Sequence, residues 1–275
     1  MGENRVTKVI PNIVSIAGID PSGGAGVLAD IKAISALGGY GCGVVAALTA
    51  QNTKAVTGVM PVPADFVALQ LKTLFEDVRI DAVKIGMLAD VNVIETVADA
   101  LKTYRPRYIV LDPVMVAKSG DRLLPESCIE ALKTKLLPLA TLLTPNLPEA
   151  AALVGEAEIS DASQMAPLAK KLLALMAPGA WVFLKAGHLS SENVPDLLTN
   201  GTHTLVLDSD RIDTKNTHGT GCTLSSALAT LLPQSATVPE AAQKAKHYIS
   251  NAIAQADTLD VGHGHGPVHH FWQMH

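Results

Sequence analysis

The segment Lys215-Asn-Thr-His-Gly-Thr-Gly-Cys222-Thr-Leu-Ser-Ser-Ala has the composition of an anion site. Gly219 and Gly221 let backbone N–H groups turn toward one point, and Thr217, His218 and Thr220 share the same polar run. The amphipathic stretch after it predicts a helix, whose free N–H groups and positive dipole end would face that point. Cys222 falls at or near the first turn, where the dipole favours a thiolate. The plain alternative is an ordinary helix start with Cys222 as a small buried residue.

Other segments carry weaker signals of the same kind. Gly18-Ile-Asp-Pro-Ser-Gly-Gly-Ala-Gly26 reads as a loop between strand and helix. It lacks the Gly-Lys-Ser/Thr of a P-loop and the G-x-G-x-x-G spacing of a dinucleotide fingerprint. It is either a close backbone approach to a small ligand or a plain turn. Asn146 and Glu149, in Thr144-Pro-Asn-Leu-Pro-Glu149, share a helix face. With Asp112 they suit the water shell of a magnesium ion; a capping box of Asn146 with Glu149 is the rival. Lys185, in Lys-Ala-Gly-His188, ends a predicted strand and is placed for a phosphate chain. Gln51 closes an apolar run and offers a donor and an acceptor to the edge of a heterocycle. Singly, Lys185 and Gln51 also read as solvated surface residues. The tail Gly262-His-Gly-His-Gly-Pro-Val-His-His270 holds four histidines, but its glycines would leave metal ligands loose. It reads as a segment laid over the domain. Neither G-x-S-x-G, H-E-x-x-H nor C-x-x-C occurs.

These residues need a scaffold, and the pattern supplies one. Short β-type runs at Ile10–Ala17, Val44–Leu48, Ala82–Ile85, Tyr108–Leu111, Thr141–Leu143 and Val182–Lys185 alternate with helical stretches. That is the sequence form of a mostly parallel sheet covered by helices. A helix is predicted over Val27–Leu37, stopped by Gly38-Gly39. Capping boxes are predicted at Asp161–Gln164 and Thr237–Glu240. Asn200-Gly201, between Asp196–Thr199 and Thr202–Leu207, predicts a hairpin, so the sheet should end in an antiparallel piece. No linker interrupts the chain, which predicts one domain over residues 9–275 after a polar extension, residues 1–8. The candidate residues then all fall at carboxyl ends of strands.

Composition bounds the rest. The chain has 275 residues, 48% hydrophobic and 17% charged, with a net charge of −5. So much apolar side chain excludes disorder as the main state, and the acidic balance argues against nucleic-acid binding. No apolar run reaches the ~20 residues of a membrane span. The three cysteines are odd in number and far apart, as expected of reduced thiols in a cytoplasm.

Together with Ala-Gln-Asn-Thr53, Lys-Ile-Gly-Met87 and Leu-Asp-Pro-Val-Met115, these motifs resemble the hydroxymethylpyrimidine/phosphomethylpyrimidine kinases of thiamine biosynthesis. The resemblance covers residues 9–270. It implies a ribokinase-like three-layer α/β/α sandwich, and an ATP- and magnesium-dependent kinase acting on 4-amino-5-hydroxymethyl-2-methylpyrimidine and its monophosphate. It implies a homodimer and leaves a monovalent cation open. By the same resemblance Gln51 reads the aminopyrimidine, with Gly18, Asp30, Met87 and Val114 lining that pocket. Asn146, Lys185, Thr217 and His218 would serve the nucleotide, Asp112 and Glu149 the metal. The N–H groups from Gly219 through Thr220 and Gly221 to Cys222 would hold the moving phosphoryl, and Cys222 would accept or orient the substrate's hydroxyl proton. Lys-Ala-Gly-His departs slightly from the Lys-Gly-Gly-His expected of that family. The rivals are a pyridoxal kinase of the same fold and a non-catalytic ligand sensor.

Overall fold

Side chains that alternate between two faces need two cores, and the chain builds both. The computed structural model describes residues 9–115, 125–187, 195–208 and 210–274. Strands β1 (Asn12–Ile19), β2 (Tyr40–Gln51), β4 (Ala82–Ile85), β5 (Tyr108–Leu111), β6 (Leu142–Leu143) and β7 (Trp181–Leu184) run parallel. With β3 (Val56–Pro61), β8 (Asp196–Thr199) and β9 (Thr204–Leu207) they form one sheet, in the order β3-β2-β1-β4-β5-β6-β7-β8-β9. Val14, Ile16, Val83, Ile85, Leu111 and Leu143 face one core. Their neighbours Ile13, Ala82, Val110, Leu142 and Phe183 face the other. Period-two alternation in strands apolar on both sides is what a sheet sandwiched between helices requires.

Helices α2 (Ala64–Asp77), α3 (Val91–Tyr104), α4 (Glu126–Ala131), α5 (Leu147–Val154) and α6 (Met165–Leu173) cover the first face. Helices α1 (Gly26–Ala36), α7 (Thr220–Leu231) and α8 (Val238–Ala254) cover the second. The expected three-layer α/β/α architecture is therefore present. Helix α1 ends as predicted: Gly38 takes φ +75° and the Gly39 N–H returns to the Ile34 carbonyl at 2.9 Å.

Several expectations need correcting. Strand β1 is shifted two residues along from Ile10–Ala17, and β2 is longer than Val44–Leu48. A second antiparallel edge, β3 on β2, joins the predicted β8–β9 hairpin. That hairpin turns through Asn200–His203, because the Asn200 side chain accepts from the His203 N–H at 2.8 Å and widens the loop. Asp161 caps Ser163 alone and starts a 3-10 turn before α6. At Thr237 the hydroxyl accepts from the Glu240 N–H at 3.2 Å, but Glu240 reaches back to Ala236. Residues 1–8 and His188 lie outside the described residues.

Candidate active site

All parallel strands point the same way, so their carboxyl ends share one rim. The chain leaves β1 for β2 on one side, then returns past it to β4 through β7 on the other. A crevice opens where the order reverses. There the Gly18 N–H bonds to the Met87 carbonyl at 3.0 Å. A cleft of about 940 Å³ follows this rim. Gln51, Gly18, Met87 and Val114 line one part of it, and Asn146, Lys185 and Thr217 through Cys222 line another.

Two glycine loops meet over this cleft. Gly219 caps α7 in the left-handed region, at φ +78°. A Cβ there would collide with the Gly24 carbonyl oxygen, and one at Gly24 would strike the His218 ring. Glycine is required at Gly219 because its backbone touches that of Gly24, and at Gly24 because the His218 ring packs on it. Asp20 fastens the contact. Its carboxylate accepts from Ser22 N–H at 2.8 Å, from Ala25 N–H at 3.0 Å and pairs with His218 Nε2 at 2.7 Å. Burial pushes the Asp20 carboxyl up, but its bonds with His218 and Ser22 outweigh this and hold it below the usual range. The ring of His218 is therefore occupied by Asp20, and His218 shapes the loop from inside.

Helix α7 opens onto the cleft. The Thr220 hydroxyl closes the preceding turn on the Thr217 carbonyl at 2.7 Å. Among the described residues no acceptor meets the N–H of Gly221 or Cys222. They are two of the orphan donors that every helix start leaves. Lys185 Nζ lies 3.3 Å from where a Cβ of Gly221 would stand, so its ammonium sits against the same turn. It pairs with Asp112 Oδ1 at 3.2 Å, and Asp112 also accepts from Thr144 at 3.1 Å and from Ser225 at 3.3 Å. Burial alone would lower the Lys185 ammonium; the Asp112 and Glu149 carboxylates more than reverse this.

This arrangement gathers donors for a phosphate at one place and an amide at the other. Comparison with known proteins decides which family uses it here. A family model described as phosphomethylpyrimidine kinase matches residues 20–269. The hydroxymethylpyrimidine/phosphomethylpyrimidine kinase of Escherichia coli (strain K12) is 53% identical over 94% of this chain and 97% of its own. The chain belongs to the phosphomethylpyrimidine kinase family. Its fold is shared with the Bacillus subtilis pyridoxal kinase solved as an ADP complex, at TM-score 0.86 and 37% identity, covering 95% of this chain and 98% of that one. The pyridoxal kinase of Staphylococcus aureus solved with AMP-PCP and pyridoxal matches at TM-score 0.88 and 30% identity, over 97% and 95%.

In this kinase the strand end next to Met87 holds a residue that sequence reasoning missed. Lys84 is fully buried in β4, and its ammonium contacts both carboxylate oxygens of Asp30 at 2.9 and 2.8 Å. Asp30 also accepts from Ser15 at 2.5 Å and Ser226 at 2.7 Å. Asp30 was expected on the pocket wall. It lies instead beneath it, because it sits on the buried face of α1 and turns to Lys84. The signal was one lysine inside the apolar run Ala82–Ile85. The register pairs Ser15 with Lys84, so both point to the α1–α7 side.

The same cluster changes the reading of Cys222. The residue keeps part of its surface open, yet burial pushes its thiol up to about 11, with the Lys84 ammonium and the Gly26 N–H countering. The expected thiolate gives way to a neutral thiol, because desolvation exceeds what the Lys84 ammonium and the Gly26 N–H return. Ser226 stands one turn further along α7 and holds Asp30, which places the Lys84–Asp30 pair under the cysteine.

Asn146 and Glu149 form the full capping box: Glu149 N–H to Asn146 Oδ1 and Asn146 N–H to Glu149 Oε2, each at 2.8 Å. Burial pushes the Glu149 carboxyl up to about 7; Lys185 opposes this and Asp112 adds to it. Among the described residues no three His, Cys, Asp or Glu side chains cluster as a complete metal cage. Two buried, mutually repelling carboxylates beside a cleft do fit magnesium, which keeps waters and phosphate oxygens as its other ligands.

Proposed function

We propose that this kinase moves the γ-phosphoryl group of ATP to the hydroxymethyl group of 4-amino-5-hydroxymethyl-2-methylpyrimidine, then phosphorylates the monophosphate to the diphosphate. One observation carries the reading: Gln51 and the start of α7 line the same cleft. Gln51 Oε1 accepts from Thr49 at 3.2 Å, which orients its amide for the ring edge. Met87 and Val114 supply apolar walls. At the other end the Gly221 and Cys222 N–H groups receive the phosphoryl oxygens. Lys185, Asn146 and Thr217 border the phosphate chain. Asp112 and Glu149 would hold magnesium there, which when bound offsets phosphate charge.

Phosphoryl transfer is mainly positioning and charge stabilisation, through a loose transition state. The bond from phosphorus to the substrate hydroxyl forms as the bond to the bridging oxygen breaks and ADP leaves. Such a transition state needs little prior deprotonation of the alcohol, so a neutral Cys222 thiol orients the hydroxyl, and its proton departs late to an oxygen of the transferred phosphoryl group and from there to solvent. No helix among the described residues is long and apolar enough to cross a membrane. The free cysteines Cys42, Cys128 and Cys222 support a reducing, cytoplasmic place. A homodimer is supported by the edge strand β3, where Val59 and Met60 are exposed beside Leu48 of β2.

The test is ADP release with each alcohol. Hydroxymethylpyrimidine should give a higher kcat/KM than pyridoxal, the substrate named in the two solved kinases above. No ADP release with the pyrimidine would overturn the reading.

A further inference from the structure

The glycine-histidine tail is not part of the chemistry above, yet it bonds to Thr53, just past Gln51, and to the segment that leads through Lys215 and Asn216 to His218. From Gly262 to His270 the chain runs as a strap between two segments far apart in sequence. On one side is the end of β2, which carries Gln51, with the turn that continues from it to Thr53. The Gly264 N–H bonds to Thr53 Oγ1 at 3.1 Å, and the His265 N–H bonds to the Thr53 carbonyl at 2.8 Å. On the other side is the segment leading into Gly219. His265 Nδ1 meets the Lys215 carbonyl at 3.0 Å, and the Gly266 N–H bonds to Asn216 Oδ1 at 2.9 Å. The His218 N–H bonds to the Gly266 carbonyl at 3.0 Å, and the Val268 N–H returns to the His218 carbonyl at 3.3 Å. Further along, the Tyr248 hydroxyl bonds to the His270 carbonyl at 2.7 Å, and Val268 is fully buried, so this end is anchored in the core.

The alternation of the tail follows from this fit. A Cβ at Gly262 or Gly264 would collide with Thr53, and one at Gly266 would come to 2.5 Å from Asn216 Oδ1. The glycines face the two clamped segments, while His263 and His265 are exposed. Each of these three close approaches is made to a residue next to the cleft lining, Thr53 following Gln51 in the chain and Asn216 preceding Thr217.

We propose that the Gly262–His270 strap is a positioning element that fixes the distance between the Gln51 turn and the Thr217–Cys222 loop. Thr53, Asn216, Gly264 and Gly266 act through other residues and touch no reacting atom. The strap sets the spacing at which a ring held by Gln51 presents its hydroxyl to a phosphate held by α7. This rests on the reading of the cleft as two substrate sites.

The test is hydrogen exchange read by mass spectrometry, with kinetics, on the full chain carrying Gly264→Ala or Asn216→Ala. Each variant should speed exchange about tenfold at both residues 51–55 and residues 216–222, the two ends of one local unit. Each should also lower kcat/KM for the pyrimidine roughly ten- to hundredfold, as small misplacements do, at a nearly unchanged Tm. If Gly264→Ala does not fold, Asn216→Ala carries the test. Exchange that rises only on the altered side would overturn the proposal, as would a lower Tm with unchanged kcat/KM. If the wild-type protein shows no turnover, the functional reading fails, and the exchange pattern alone still decides whether the strap couples the two segments.

Discussion

Replacing Lys84 by methionine isolates a fully buried ion pair. The pair it forms with Asp30 is wholly buried on both sides. In Lys84→Met the Asp30 carboxylate keeps only the Ser15 and Ser226 hydroxyls as donors. An uncompensated buried charge of this kind costs about 3–5 kcal/mol. At roughly 2 °C per kcal/mol for a domain this large, Tm should fall by roughly 6–10 °C. Adding Asp30→Leu removes the orphan charge and should recover at least half of the loss, since an apolar replacement for a buried pair is often close to neutral. Urea and thermal unfolding followed by circular dichroism would measure both. The sign with pH follows from Lys84: burial alone would lower its ammonium, but Asp30 outweighs this and holds it above the ordinary 10.5. The pair's contribution is therefore complete below pH 10.5 and is lost as pH rises beyond it. A single variant that loses less than about 1 kcal/mol, or a double variant no more stable than the single, would refute the assignment of this pair as a buried, charged anchor.

Three further outcomes follow from the same geometry. Gly219→Ala, which forces the two glycine loops apart at Gly24, should reduce kcat by at least about a hundredfold while the fold persists; a near-normal rate would mean the loops need not touch. Alkylation of Cys222 by iodoacetamide should stay slow at neutral pH and rise with a midpoint near 11, and stability should fall as pH climbs from 9 toward that value; a midpoint below 8 would restore the thiolate. With Glu149 raised to about 7 from 4.5, the ligand-free protein should lose stability as pH rises through that window, and Glu149→Gln should flatten the slope.

Much of this was legible in the residue pattern, for reasons that differ by segment. The Thr217–Cys222 loop was readable because glycine spacing and a following amphipathic helix constrain the backbone directly. The β8–β9 hairpin was readable because Asn200-Gly201 is a local turn signal. Strand β3 was not, since Val-Thr-Gly-Val-Met-Pro shows no clean alternation and most of it stays exposed on the sheet edge. The bond between Asp20 and His218 joins residues 198 apart and has no local signature. For Cys222 a helix-end argument captures the dipole but not the burial beside Lys84 of β4 and Asp30 of α1, and Asp30, placed by family resemblance, turns from the pocket to Lys84. Lys84 is a charge in a doubly buried strand, a signal passed over because its partner is revealed only by the packing of α1 and α7.

The most direct measurement is a crystal structure of the protein with hydroxymethylpyrimidine and a non-hydrolysable ATP analogue bound together. The ring edge should lie on the Gln51 amide, the terminal phosphate on the Gly221 and Cys222 N–H groups, and the substrate hydroxyl between them, facing phosphorus. Ring and phosphate found in separate cavities, or a pyrimidine bound away from Gln51, would contradict the account.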